Sequence, residues 1–137
     1  EKSGRPLDNF QVPQLIAVSV NNDDPQQGID DCKEFLTQYI AQQPHITEFS
    51  GADEDLVARI KEIMGWPATK AQIHEAMKLV SNDLTQSVAA CGTATDALDR
   101  ISEWVDKGCT EPVLTPLGQN AFGTLEQIAK AANLGNV

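Results

Sequence analysis

Aromatic residues are scarce in this chain: two Trp, one Tyr and four Phe make up 5% of its 137 residues. A core must therefore be assembled from Leu, Ile, Val and Ala around the two tryptophans, a palette that favours helices over a β-sandwich. Basic residues are also few, ten against twenty acids, which leaves a net charge of −10. That sign opposes the counterion release on which nucleic-acid binding depends, so a nucleic-acid partner is not expected. Long apolar runs are missing as well. The longest, Leu15–Val20, is interrupted by Ser19 and falls far short of the ~20 residues of a membrane span.

Signature motifs are absent too. No G-x-x-x-x-G-K, G-x-G-x-x-G or G-x-S-x-G occurs, which removes the common phosphate cradles and the nucleophile elbow. The two histidines, His45 and His74, have neither H-x-x-x-H nor C-x-x-C spacing near them, so the sequence predicts no metal centre and no cofactor. A Cys–His nucleophile pair could arise only by folding, from Cys32 or Cys91 with either histidine. Asp23–Glu34 imitates a calcium loop, with an acid at its first position, Gly28 at its sixth and Glu34 at its twelfth. Pro25 stands where a carboxylate ligand belongs, and these acids suit a helix N-terminus better.

What is present is helical periodicity. Residues 1–24 have none and read as an N-terminal arm or a short strand packed on the body, with a helical turn after Pro13 as the competing reading. From there a single domain, 25–137, is expected. Asp24 caps and Pro25 opens a first helix carrying Ile29, Cys32, Phe35, Leu36, Tyr39 and Ile40, closed by Pro44. Ser50 with Asp53 begins a second, ended by Gly65. Thr69 with Gln72 begins a third that steps by three and four from Ile73 through Val80, Leu84 and Val88 to Cys91. A fourth runs from Thr93 or Thr95 past Leu98, Ile101, Trp104 and Val105 to Gly108. A fifth opens at Thr115 and Pro116, or at Thr124, and stops at Gly135. The expected fold is all-α, a compact bundle of about five amphipathic helices joined by short connections.

Three cysteines constrain that bundle. Cys91 and Cys109 would flank a helix of about 14 residues, roughly 20 Å apart, whereas a disulfide needs Cα atoms within about 7 Å. An up-and-down arrangement makes Cys32 and Cys109 neighbours instead. A Cys32–Cys109 disulfide would close a loop of 78 residues and contribute ~3–4 kcal/mol in the chain-entropy treatment. Cys91 is then left over, buried or pairing with another chain in a homodimer. The alternative keeps all three reduced in the core.

The predicted surfaces are few. Between Asn21 and Glu62 ten acids face three bases, a field that suits a basic protein partner or plain solubility. Asp53, Glu54 and Asp55 at the second helix's start, and Trp66 in the following turn, are candidate partner contacts. The chain begins at Glu1 rather than Met, which with the disulfide suggests an extracytoplasmic protein. The function expected is that of an exported acidic module that binds a macromolecule, as an inhibitor, immunity-type protein, adaptor or effector, and not an enzyme. The competing function is a carrier of an apolar small molecule or lipid, with Ile73, Met77, Trp104, Phe122 and Leu125 lining an inter-helix cavity.

Overall fold

The β-branched stretch after Pro13 is a strand at the centre of a sheet. A computed structural model describes residues 10–43 and 51–134. In chain order its elements are β1 (Pro13–Val20), α1 (Pro25–Gln42), α2 (Glu54–Met64), α3 (Lys70–Met77) and α4 (Asn82–Val88). They continue with β2 (Ala90–Gly92), α5 (Ala94–Asp106), β3 (Glu111–Pro116) and α6 (Ala121–Ala131). The three strands form a parallel sheet of order β2-β1-β3. The fold is therefore α/β, and the all-α bundle expected from periodicity is overturned.

Strand β1 alternates between two helical layers, as a period of two requires. Ile16, Val18 and Val20 pack with Ala90 of β2, Ala94 and Ala97 of α5 and Ile128 of α6. Ala17 faces the other way, onto a cluster of Ile29 and Cys32 from α1 with Ala89 and Cys91. Further from the sheet, Leu36 and Ile40 of α1 pack with Ile60 and Met64 of α2, Ile73 and Ala76 of α3, and Val80. Helices α1–α4 thus cover one face and α5 and α6 the other, the double cover that a buried parallel sheet needs.

Local chemistry explains where the helices stop. The third predicted helix is two helices and a strand. After Met77 the chain turns, and Ser81 caps α4 by accepting the Leu84 N–H at 3.1 Å. Val80, Leu84 and Val88 still meet the α1–α2 cluster, so the apolar stripe is real although the rod is not. At Ala89 the backbone becomes extended, and Ala90-Cys91-Gly92 pairs with Val18-Ser19-Val20. Thr93 then caps α5 in a capping box with Asp96. The fifth predicted helix also starts later than expected. Thr115 and Pro116 belong to β3, and α6 is capped by Asn120, which accepts the Gly123 N–H at 3.1 Å. In the β1–β3 register the N–H groups of Val113 and Thr115 point to β1, so Pro112 and Pro116 occupy the outward positions where a missing donor costs nothing.

The cysteine topology is corrected as well. All three thiols are free and buried. Cys32 packs with Cys91 in one buried cluster that does not include Cys109, and the Cys32–Cys109 disulfide is not formed. The reason is the broken helix: because residue 91 lies on a strand beneath α1, it meets residue 32, while Cys109 sits in the turn before β3, its N–H donating to the Trp104 carbonyl.

One close approach fixes how deeply α1 sits on the sheet. Gly28, in the first turns of α1, lies over the ends of β1 and β2. A Cβ there would sit 2.7 Å from the Ser19 carbonyl oxygen and 3.2 Å from that of Gly92. Only glycine lets α1 descend so near the sheet.

Candidate functional site

The strand order creates a crevice. From β1 the chain returns through β2 on one side, then crosses to β3 on the other. Helix α1, leaving β1, and helix α6, leaving β3, consequently lie on opposite faces, and their departure leaves a gap outside the carboxyl ends of β1 and β3. Such switch points are where open parallel sheets bind ligands.

A polar cleft of about 460 Å³ occupies this place. Its floor is Ser19, Val20 and Asn21 at the end of β1; its walls carry Gln27, Asp31 and Glu34 of α1, Lys70 and His74 of α3, and Gln119, Asn120 and Thr124 at the start of α6. Asp31 is its best-anchored charge. One carboxylate oxygen accepts the Ser19 hydroxyl at 2.8 Å and the other the Gln27 amide at 3.0 Å. The same carboxylate lies against Gly118, where a Cβ would fall 2.1 Å from it and where φ is +76°. The positive φ favours glycine there, and any side chain would displace the Asp31 carboxylate.

The rim is pinned by backbone bonds. The Val20 N–H donates to the buried Thr124 hydroxyl at 3.1 Å, and the Asn22 N–H to the Gln127 side-chain oxygen at 2.8 Å. The Asn21 side chain accepts the N–H groups of Asp23 and Asp24 at 3.1 and 3.0 Å. The Asn22 side chain accepts the Ala94 N–H at the head of α5. The loop after β1 is thus fastened to α5 and α6 before any ligand arrives, which lowers the ordering cost of binding. Chemically, the cleft offers a fixed carboxylate acceptor, two nitrogenous side chains and several amides that both donate and accept. It suits a polar ligand bearing hydroxyl, amide or acidic groups.

Most of the sequence-predicted residues fall elsewhere, the exceptions being His74 and, from the calcium-loop imitation, Gln27, Asp31 and Glu34. His74 lines the cleft, whereas His45 and Ser50 lie outside the described residues. Asp53 caps α2, accepting the Leu56 N–H at 2.6 Å, and Glu54 and Asp55 occupy its first turn. The calcium-loop imitation is the N-cap and opening turns of α1, with Asp24 accepting from Gln27. Trp66 is 78% exposed beside a hollow of about 490 Å³ that it shares with Ala41, Gln42, Lys61 and Met64. The five residues proposed to line an apolar cavity are not brought together. Ile73 and Met77 pack on the α1–α2 side, Trp104 on the α5–α6 side under the Arg100 guanidinium, and Phe122 is 86% exposed on α6 with Leu125 partly exposed beside it.

Sequence reasoning missed Ser19, Asn21, Asp31, Gln119 and Asn120 as a group. A signal existed: V-S-V-N-N-D-D-P, A-C-G-T-A-T-D and V-L-T-P-L-G-Q-N each run from an apolar stretch through a turn into a capped helix. Three such units are the mark of a βα fold.

The fold is that of an α/β protein with a polar cleft at the carboxyl end of a parallel sheet. The comparisons narrow this. No family profile matches the chain. Over 132 residues it is 24% identical to the 5,10-methylenetetrahydromethanopterin reductase of Archaeoglobus fulgidus, covering 94% of this chain and 39% of that protein. The structure of the coenzyme F420 dependent tetrahydromethanopterin reductase from Methanopyrus kandleri matches with a TM-score of 0.69 at 23% identity, covering 84% of this chain and 32% of that one. The chain thus spans about a third to two fifths of the length of these relatives, and shares the fold of the Methanopyrus kandleri structure over that part. Both are enzymes, and the likeness overturns the expected exported binding module, its carrier alternative and the extracytoplasmic location, which had rested on the disulfide and on Glu1.

Proposed function

We propose that this chain forms the ligand-binding part of a cofactor-dependent reductase, and that its switch-point cleft receives the polar portion of a coenzyme of the F420 type. The observation that carries this reading is the coincidence of a 460 Å³ amide- and carboxylate-lined cleft with the one gap that the strand order opens, in a fold shared with an F420 dependent enzyme. The donor set fits such a group. Asp31, held by Ser19 and Gln27, is a ready acceptor for a hydroxyl or a ring N–H, and Lys70 and His74 line the same cleft as donors to an acidic substituent. Asn120 and Gln119 close the opposite wall.

When bound, the coenzyme would supply the reducing equivalents. The chain's own residues bind and orient. The fastening of Val20 to Thr124 and of Asn22 to Gln127 keeps the cleft floor from shifting as the ligand enters.

Titration of the full chain with coenzyme F420, followed by calorimetry, tests the reading. Saturable binding, weakened about tenfold by Lys70→Glu, which costs roughly 1.4 kcal/mol, is the expected result. Failure to bind F420 at concentrations up to about 1 mM, equivalent to less than about 4 kcal/mol of affinity, refutes it.

A further inference from the structure

Cys32 and Cys91 are brought together by the fold from α1 and β2, and nothing in the cleft chemistry uses them. They share a buried cluster that also holds Ile29 and Ala89. Cys32 additionally borders an apolar hollow of about 400 Å³. The hollow is walled by Phe35 and Tyr39, whose ring centroids are 4.2 Å apart, and by Leu15 and Val88. Leu15 at its rim is largely exposed.

We propose that Cys32 and Cys91 form a two-thiol site for a thiophilic ligand, a mono-organic trivalent arsenical whose organic group occupies this hollow. The reaction balances without any oxidant. Two S–H bonds and the arsenic–oxygen double bond break, two arsenic–sulfur bonds form, and the oxygen leaves as water with both thiol protons. No atom changes oxidation state.

Three features favour this ligand class. Cys32 and Cys91 sit in one buried cluster where α1 packs on β2, so a single atom can bridge the two sulfurs. The product is uncharged, which a dry cluster tolerates, whereas a monovalent cation held by two thiolates would leave net negative charge beside Asp31. The hollow gives the organic group apolar contact. The neighbouring Cys91 thiol, burial and the Asp31 carboxylate, only partly offset by the Ser19 backbone, push the Cys32 thiol well up and keep its proton in place until water departs with it. Cys109, in the turn before β3, lies outside the cluster.

The test is incubation of the full chain with phenylarsine oxide, read by native mass spectrometry and thiol titration. One adduct per chain is expected, formed with loss of water and removing two of the three titratable thiols. 2,3-dimercaptopropanol should release it, and a monothiol should not. Cys109→Ser should keep the adduct; Cys32→Ser and Cys91→Ser should lose it. If a serine variant does not fold, peptide mapping of the wild-type adduct decides, since the arsenic must join the peptides containing Cys32 and Cys91. No adduct on the folded chain, or one that maps to Cys109, overturns the proposal. Neither outcome depends on whether the cleft binds F420.

Discussion

Replacing Gly28 by alanine sets two effects against each other, and the structure decides the winner. In an exposed helix the change would stabilise by roughly 0.5–1 kcal/mol, because glycine loses more freedom on folding. At residue 28 the added methyl meets the Ser19 carbonyl oxygen at 2.7 Å and the Gly92 carbonyl oxygen at 3.2 Å. Both are backbone atoms of paired strands and cannot rotate away. Overpacking of this kind costs typically 1–3 kcal/mol. The net is a loss of about 0.5–2 kcal/mol, a fall in Tm of roughly 2–8 °C for a domain of this size. Lifting α1 also lengthens the 2.8 Å bond from the Ser19 hydroxyl to Asp31, so ligand affinity at the cleft should drop with stability. Differential scanning calorimetry of Gly28→Ala against the unaltered chain measures the first effect. An unchanged or higher Tm would refute the close seating of α1 on the strand ends, and with it the geometry of the cleft.

Other perturbations probe separate joints. Thr124→Val keeps the volume but strands the Val20 N–H and removes the hydroxyl that holds it at 3.1 Å in a buried site, a loss of about 1–3 kcal/mol by urea unfolding. Ser81→Ala should cost about 1 kcal/mol through the lost cap on α4. A single helix from Lys70 to Val88 would show almost no loss. Asp96 is held below the ordinary carboxylate range by the Thr93 hydroxyl and N–H, so its contribution is complete above the ordinary value of 3.8 and disappears as pH falls through the lower folded value. Because the group is largely solvated, Asp96→Asn should remove only several tenths of a kcal/mol at neutral pH. It should also flatten the acid limb of the stability profile; an acid limb identical to that of the parent would contradict the capping box.

Much of the helical layer was legible because caps are local. Asp24 before Pro25, Thr69 with Gln72, and Thr93 at the head of α5 all act where the spacing of side chain and N–H predicts. The strands were hidden for distinct physical reasons. Strand β2 is three residues long, too short to display a period, and Cys91 happens to continue the three-and-four stepping of the helix before it. The prolines at 112 and 116 argue against a strand until β3 is placed at the sheet's edge. The cleft was the least legible part. Its residues come from the end of β1, from one face of α1 and α3, and from the turn after Gly118, and their only common property is the place to which a parallel sheet delivers them.

That placement also explains how both clusters of unusual chemistry come to share one short stretch of α1. Residues 28, 31 and 32 follow directly on the turn that leaves β1: Gly28 sets the depth of the helix, Asp31 then reaches the Ser19 hydroxyl, and Cys32 is carried over β2 to Cys91. The odd residues of β1 present their side chains to this helix, so Ala17 and Ser19 alone separate the polar cleft from the thiol pair. The small side chain at 17 borders the apolar hollow, while the hydroxyl at 19 belongs to the floor of the polar cleft. Exchanging the two residues would place a polar group against the hollow and leave Asp31 without its hydroxyl donor. The separation of the two sites thus rests on a two-residue alternation in a strand that composition alone does not reveal.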